Sequence, residues 1–418
     1  MNRPLFSKNT LEVANPTLPS KRILSIDVLR GIAVLGILIM NIQHFSMIGA
    51  AYINPDAFGD LTGINKWVWV LSDLLSSGKF MSIFSILFGA GIILFTTHAV
   101  EKGRRAGRLH YRRNFWLLVF GLLHAYLIWY GDILVAYSLC AFLAFLFRKM
   151  KPVKLVIIGA IFFIVPFLLY LMFGLTIQYW PQESIDQNMQ SWMPAIEKVQ
   201  QEINSMQGNW IEQMDVKVPG AIFLQTFLFF INVFWRVMGL MLFGMALYKW
   251  GVLSATRTKK YYLRLILLSL IPGMLVVGWG IQQNFKAEWE MAFSMFTGSL
   301  FNYVGSVGVS LGYIGIVMLI CKSATWQRFK HVFSSVGKMA FSNYILTSII
   351  CSFIFYGHGF ALFGEVQRWI QILIVPGIWI ILILFSLFWL RYYYYGPLEW
   401  LWRVLTYWHR QPMKRNLK

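Results

Sequence analysis

A chain of 418 residues and 48.5 kDa has the length of two or three soluble domains, yet 58% of its residues are hydrophobic and only 13% are charged. Soluble domains carry about 25% charged residues, so this chain lacks the charge to cover a water-facing surface. A mean hydropathy of +0.59 and 17% aromatic residues agree, since Trp and Tyr collect at membrane interfaces. A soluble enzyme, a disulfide scaffold and a disordered tail protein are excluded. The composition implies an all-α, polytopic integral membrane bundle.

In chain order, residues 1–25 are polar and read as a cytoplasmic tail. Ten apolar stretches follow, at 27–47, 80–100, 114–131, 132–148, 154–176, 220–248, 262–282, 299–321, 339–356 and 369–391. Most approach the roughly 20 residues that cross a bilayer as helix. Open sheets are excluded in lipid, because every backbone group needs an internal partner. The first stretch is too long for a signal-peptide core and reads as an uncleaved anchor. Only Gly131-Asp132 separates the third stretch from the fourth, which predicts a tight helical hairpin. Segment 177–219 is the sizeable outside excursion within a transmembrane region of 26–391. Met193, Ile196, Val199, Ile203 and Met206 stand at helical spacing there, predicting an amphipathic helix that is either a cap or a linker. Residues 392–418 read as a basic cytoplasmic tail.

Charge sets the orientation. Of the 37 Lys and Arg, 29 fall in alternate loops and at the two ends, while the other loops hold six together with twelve of the seventeen acids. By the positive-inside rule both termini are cytoplasmic, as in a multi-pass protein of the cell (inner or plasma) membrane. The net charge of +20 is then a cytoplasmic-face charge facing anionic lipid. The cluster at Arg104, Arg105, Arg108, Arg112 and Arg113 also suits a phosphate-bearing cytosolic ligand. No separate basic domain exists, so nucleic acid is not an expected partner. Cys140, Cys321 and Cys351 show no paired spacing, so neither a disulfide framework nor a metal site is expected.

Polar residues inside apolar stretches are costly and mark functional candidates. Asp27 and Arg30 stand at i and i+3 at the cytoplasmic start of the first stretch, as an ion pair or as an entry point for an anion. Asn41 lies eleven residues further on, about 16 Å along the axis, where its amide either joins helices or orients a substrate. His124 falls about 15 Å from Asn114, near the bilayer midplane. It is either a satisfied core histidine or a general base, being the side chain whose unperturbed pKa suits proton transfer near neutrality. Asp132, in the hairpin turn, is a cap or a partner in the chemistry. Arg236 lies deep in the sixth stretch and needs a carboxylate, a phosphate or a carbonyl. Lys338, Ser342, Asn343 and Tyr344 open the ninth stretch, as helix–helix hydrogen bonds or as a pocket wall. No phosphate loop, metal-protease motif, nucleophile elbow or carboxylate cluster is present.

Five blocks carry a resemblance: SIDVLRGIAVLGILIMNI, GKFMSIFSILFGAGIILF, RRNFWLLVFGLLHAYLIWYGDILVAYSL, GKMAFSNYILTSII and YGPLEWLWRVLTYW. In this order they resemble the YeiB-like family of bacterial membrane proteins, a domain-of-unknown-function family. The opening LRG…N is similar to that of the transmembrane acyltransferase superfamily, which includes heparan-α-glucosaminide N-acetyltransferase. The resemblance implies transfer of an acyl group from cytosolic acyl-CoA (acetyl-CoA) to a small-molecule or glycan acceptor at or beyond the outer leaflet. It also implies a homodimer. Related cell-surface acyltransferases carry a histidine where this chain has Asn41, which shifts the proton-accepting role to His124. On this reading His124, Asn41 and Asp132 are catalytic. Arg30, Arg113, Lys338, Asn343 and Tyr344 hold the donor, Arg236 holds substrate, and no metal takes part. The alternative is a transporter or carrier with His124 and Arg236 lining a permeation path.

Overall fold

The computed structural model describes residues 22–415; the expected N-terminal tail lies outside them up to Lys21. Seventeen α-helices occur among these residues, and no extended strand does. They are α1 (Leu24–Ser46), α2 (Gly49–Ile53), α3 (Gly63–Leu75), α4 (Lys79–Glu101), α5 (Ala106–Leu127) and α6 (Leu134–Phe147). Then come α7 (Pro152–Thr176), α8 (Gln182–Trp192), α9 (Ile196–Gln207), α10 (Met214–Gln225), α11 (Phe234–Lys249) and α12 (Lys259–Lys286). The chain continues through α13 (Ser299–Lys322), α14 (Gln327–Lys338), α15 (Ala340–Phe355), α16 (Arg368–Tyr392) and α17 (Pro397–Tyr407).

All ten expected stretches are helical. Among the described residues, seven helices are long and apolar enough to cross a membrane, and an eighth crossing forms if α14 and α15, bent by 78°, count together. The remaining pair, α5 and α6, is the predicted hairpin. Its return arm α6 has only 14 residues, about 21 Å of helix, so the tip at 128–133 stops inside the thickness of the bundle. His124 sits in the last turn of α5, which begins at Ala106 and not near Asn114. Counted back along α6, the tip lies about 20 Å from the far end of that helix.

The loops segregate as the charge pattern requires. On the outer side, the amphipathic helix expected within 177–219 is α9, and α8 precedes it; the break between them at Met193–Ala195 contains Pro194, whose ring cannot continue a helix. The two helices cap the bundle. Glu202 accepts the Gly49 amide at 2.8 Å, Asn54 donates to the Trp192 carbonyl at 3.1 Å, and the Trp192 indole donates to the Trp289 carbonyl at 2.9 Å. Arg368, 1% exposed, bonds the carbonyls of Pro55, Phe58 and Asp60 and fixes α16 to the same layer.

At the cytoplasmic side α1 and α14 cross at backbone contact. A Cβ on Gly31 would strike the Phe333 carbonyl, and one on Gly337 would strike the Asp27 carbonyl. In lipid, where tails are as apolar as Leu, such close approach is what holds helices together. It also sets Asp27 and Arg30 beside Lys338. Gly337→Val should therefore lower unfolding stability by about 1–3 kcal/mol, read as a lower thermal midpoint in detergent, whereas Gly91→Ala, which meets open space, should leave the midpoint in place.

Candidate functional site

The tip of the α5–α6 hairpin carries a buried histidine–aspartate pair. His124 Nδ1 and Asp132 Oδ2 are 2.7 Å apart, with side chains 1% and 0% exposed. Oδ1 of the same carboxylate accepts the Val135 amide at 2.9 Å, so Asp132 caps α6 while it orients the imidazole. The capping expectation for Asp132 is met, and the same carboxylate also contacts His124. Tyr344 of α15 donates its hydroxyl to Oδ2 at 3.4 Å, and its ring lies 5.0 Å from that of His124. With Nδ1 engaged, His124 Nε2 is buried and has no protein partner. Trp129, 6.2 Å away ring to ring, likewise has an unpartnered indole N–H.

Two spaces approach this pair. A cavity of about 320 Å³ opens among the cytoplasmic helix ends and runs inward to Ile133, Leu134, Tyr137 and Tyr344. Seven Lys or Arg side chains and two carboxylates line it, a surplus of positive charge in low dielectric that attracts anions. Arg30 is paired with Asp27 at 3.2 Å and both face the cavity. Arg113 lies between the rings of Phe95 and Trp402, 4.8 and 4.4 Å from their centroids. Lys338 and Arg403 complete the inner rim. A second void of about 10 Å³, the size of one water, is bounded by Asn41, Trp129, Tyr344, Thr347 and Ser348. His124 is not in the wall of either space. It stands behind Tyr344 and Trp129, which are.

Several expected residues thus come together: His124, Asp132 and Tyr344 in direct contact, Asn41 at the adjoining void, and Arg30, Arg113 and Lys338 on the larger cavity. Two do not. Asn343 donates to the Val336 carbonyl at 3.1 Å and to Ser386 Oγ at 2.8 Å, joining α14, α15 and α16. It faces no cavity, because its position in α15 turns it towards α16. Arg236 lies in a separate polar cluster with Ser82 and Ser306.

The structure adds α17, which sequence reasoning left in a basic tail. Its hydrophobic face closes the cavity, with the Trp402 indole bonded to the Arg113 carbonyl at 2.8 Å. Glu399 accepts the Phe341 and Ser342 amides at 2.7 and 3.1 Å, capping α15. Burial pushes the Glu399 carboxyl up, and those hydrogen bonds oppose the shift. The signal was the PLEWLWRVLTYW run, whose acid, aromatics and arginine at helical spacing are an amphipathic helix. His44 was also passed over. Its ring is 4.8 Å from Tyr130, 4.9 Å from Tyr52 and 5.4 Å from Trp129, on the outer side of the last.

Fold and site define a polytopic helical membrane protein with a cationic cavity and, behind the Tyr344 in its wall, a buried His–Asp pair. Residues 247–409 match the family described as "Protein of unknown function (DUF418)". The chain is 31% identical to a Bacillus subtilis (strain 168) protein, "Uncharacterized protein YxaH", over 96% of this chain and 98% of that one. It is 30% identical to the Escherichia coli (strain K12) "Uncharacterized protein YeiB", over 92% and 96% respectively. The chain belongs to this YeiB-like DUF418 family. No solved structure matches it.

Asp132→Ala would orphan a buried imidazole N–H and the Val135 amide at once. It should cost about 2–4 kcal/mol, measured by thermal melting in detergent. Asp132→Asn, which keeps an oxygen for one of the two donors, should recover part of that loss.

Proposed function

We propose that the protein is a transmembrane acyltransferase that takes an acetyl group from cytosolic acetyl-CoA and gives it to a hydroxyl or amine acceptor at the outer side. The observation that carries this reading is a cationic cavity on the cytoplasmic side whose wall includes Tyr344, the residue that contacts a buried His–Asp couple with an unpartnered Nε2. The lining suits the donor. Arg30 is held by Asp27 at ion-pair distance. Arg113, Lys338 and Arg403 supply charge for the phosphates of a CoA nucleotide, with the thioester arm directed inward along Ile37, Phe84 and Leu117.

In this mechanism Asp132 holds His124 with Nδ1–H bound and Nε2 free to accept a proton. Nε2 removes the proton from the acceptor O–H or N–H as that atom bonds to the thioester carbonyl carbon. The Asn41 amide donates to the oxyanion that develops. When the C–S bond breaks, the imidazolium returns the proton to the departing thiolate, so free CoA leaves on the cytoplasmic side and the acetylated acceptor on the other. Tyr344 and Trp129 lie between His124 and the two spaces, so a small rotation of these rings gives reactants access.

His124→Gln should lower acetyl transfer at least about 100-fold, followed as free CoA released by the protein in liposomes, while acetyl-CoA binding stays intact. Arg113→Gln should instead weaken acetyl-CoA binding and flatten its salt dependence, leaving turnover at saturation little changed. A carrier would move solute across vesicles without consuming any thioester. Undiminished CoA release by a folded His124→Gln protein would remove the base from the mechanism.

A further inference from the structure

Arg236 is held differently from the other buried cations. Arg368 spends its fork on three backbone carbonyls, and Lys217 donates to Gln213 Oε1 at 2.8 Å over the Tyr356 ring. Such acceptors are fixed, and the cations lock loops. Arg236 has only hydroxyls. Its Nη2 meets Ser306 Oγ at 2.8 Å and Ser82 Oγ at 3.5 Å, its guanidinium lies 4.8 Å from the Tyr303 ring centroid, and Nε is buried with no partner. Both serine protons are already given to carbonyls, those of Gly78 and Tyr303.

Lys79 belongs to the same cluster. It is fully buried and donates to the Asp73 carbonyl and to Asn302 Oδ1. Among the described residues neither cation has a carboxylate at ion-pair distance. The Asp73 carboxylate faces Lys79 from further off and takes a 3.5 Å contact from Asn302. That distant carboxylate serves Lys79, and Arg236 has none at ion-pair distance among the described residues; a buried cation without a carboxylate is costly. The cluster is also open, since Arg236 and Asp73 keep part of their surface accessible. Gly78, at φ +74°, brings the backbone so near that a Cβ would stand 3.0 Å from Arg236 Nη2. A π-helical turn, Phe229–Val233, leads directly into the helix of Arg236, and another, Ala292–Gly298, into that of Ser306. Such turns concentrate at functional sites. Lys79 and Ser82 begin α4 and Ser306 lies early in α13, both on the outer side.

We propose that Arg236, with Lys79 behind it, binds a phosphate-type oxyanion entering from the outer side, the free edge of the guanidinium taking two oxygens. If the acyl-transfer reading holds, this is the anionic group by which the acceptor is recognised. The anion site itself does not depend on that reading.

The test uses the full chain in phosphatidylcholine nanodiscs without acetyl-CoA. Thermal midpoints are followed against inorganic phosphate in one arm, and against added phosphatidylglycerol without phosphate in the other. The cytosolic cations give a background common to all variants. Beyond it, wild type should gain a stabilisation that Arg236→Gln loses. Arg236→Lys, which keeps the charge but not the fork, should need about tenfold more ligand for the same shift. A response to phosphate marks a soluble phosphate-bearing ligand, and a response to phosphatidylglycerol alone marks a lipid headgroup. Variants that respond like wild type in both arms overturn the proposal, and a wild-type response from Arg236→Lys is enough to do so even if Arg236→Gln does not fold. A protein that binds the anion but never releases CoA would keep this site and lose only the transfer.

Discussion

One carboxylate organises the centre of this protein. Asp132 accepts from His124, from the Val135 amide and from the Tyr344 hydroxyl, so a single side chain ends α5, starts α6 and reaches α15, 212 residues away in sequence. In low dielectric each of these bonds is stronger than in water, and an unmade one is correspondingly costly. With Nδ1 facing a carboxylate, Nε2 is the nitrogen left without a protein partner. Structure and chemistry therefore share one group, and the hairpin need not cross the bilayer to deliver it.

The remaining helices place this pair between two differently charged environments. The Gly31–Gly337 crossing brings Arg30 and Lys338 to the cytosolic cavity, and α17 closes its side through Trp402 and the capped α15 terminus. On the outer side α8 and α9 cover the bundle, and His44, Tyr52 and Tyr130 surround the far edge of Trp129. On the proposed acyl-transfer reading, a donor bound from one bath and an acceptor from the other would meet near Tyr344 and Trp129, and neither would have to traverse the bilayer.

Much of the fold was legible because lipid imposes simple rules. Apolar length gave the ten helical stretches, and the Lys/Arg asymmetry gave the side on which loops converge. His124 and Asp132 stood out because ionisable groups in apolar stretches are rare. What could not be read was which helix lies beside which. Asn343 looked like a pocket residue but faces Ser386 of α16, and Tyr344, its neighbour, is the one turned to Asp132. Arg236 was identified as costly, yet its separation from His124 depends on α4 and α13 packing around α11. The start of α5 at Ala106, inside the basic loop, is invisible to an apolarity count.

The most direct measurement is a structure of the protein with a non-hydrolysable acetyl-CoA analogue. The account predicts the nucleotide among Arg113, Lys338 and Arg403, and the acyl carbonyl within about 4 Å of Asn41 or Tyr344 and of His124 Nε2. An analogue seated elsewhere, or a His124 ring still walled off behind Tyr344 and Trp129 when the cavity is filled, would contradict it.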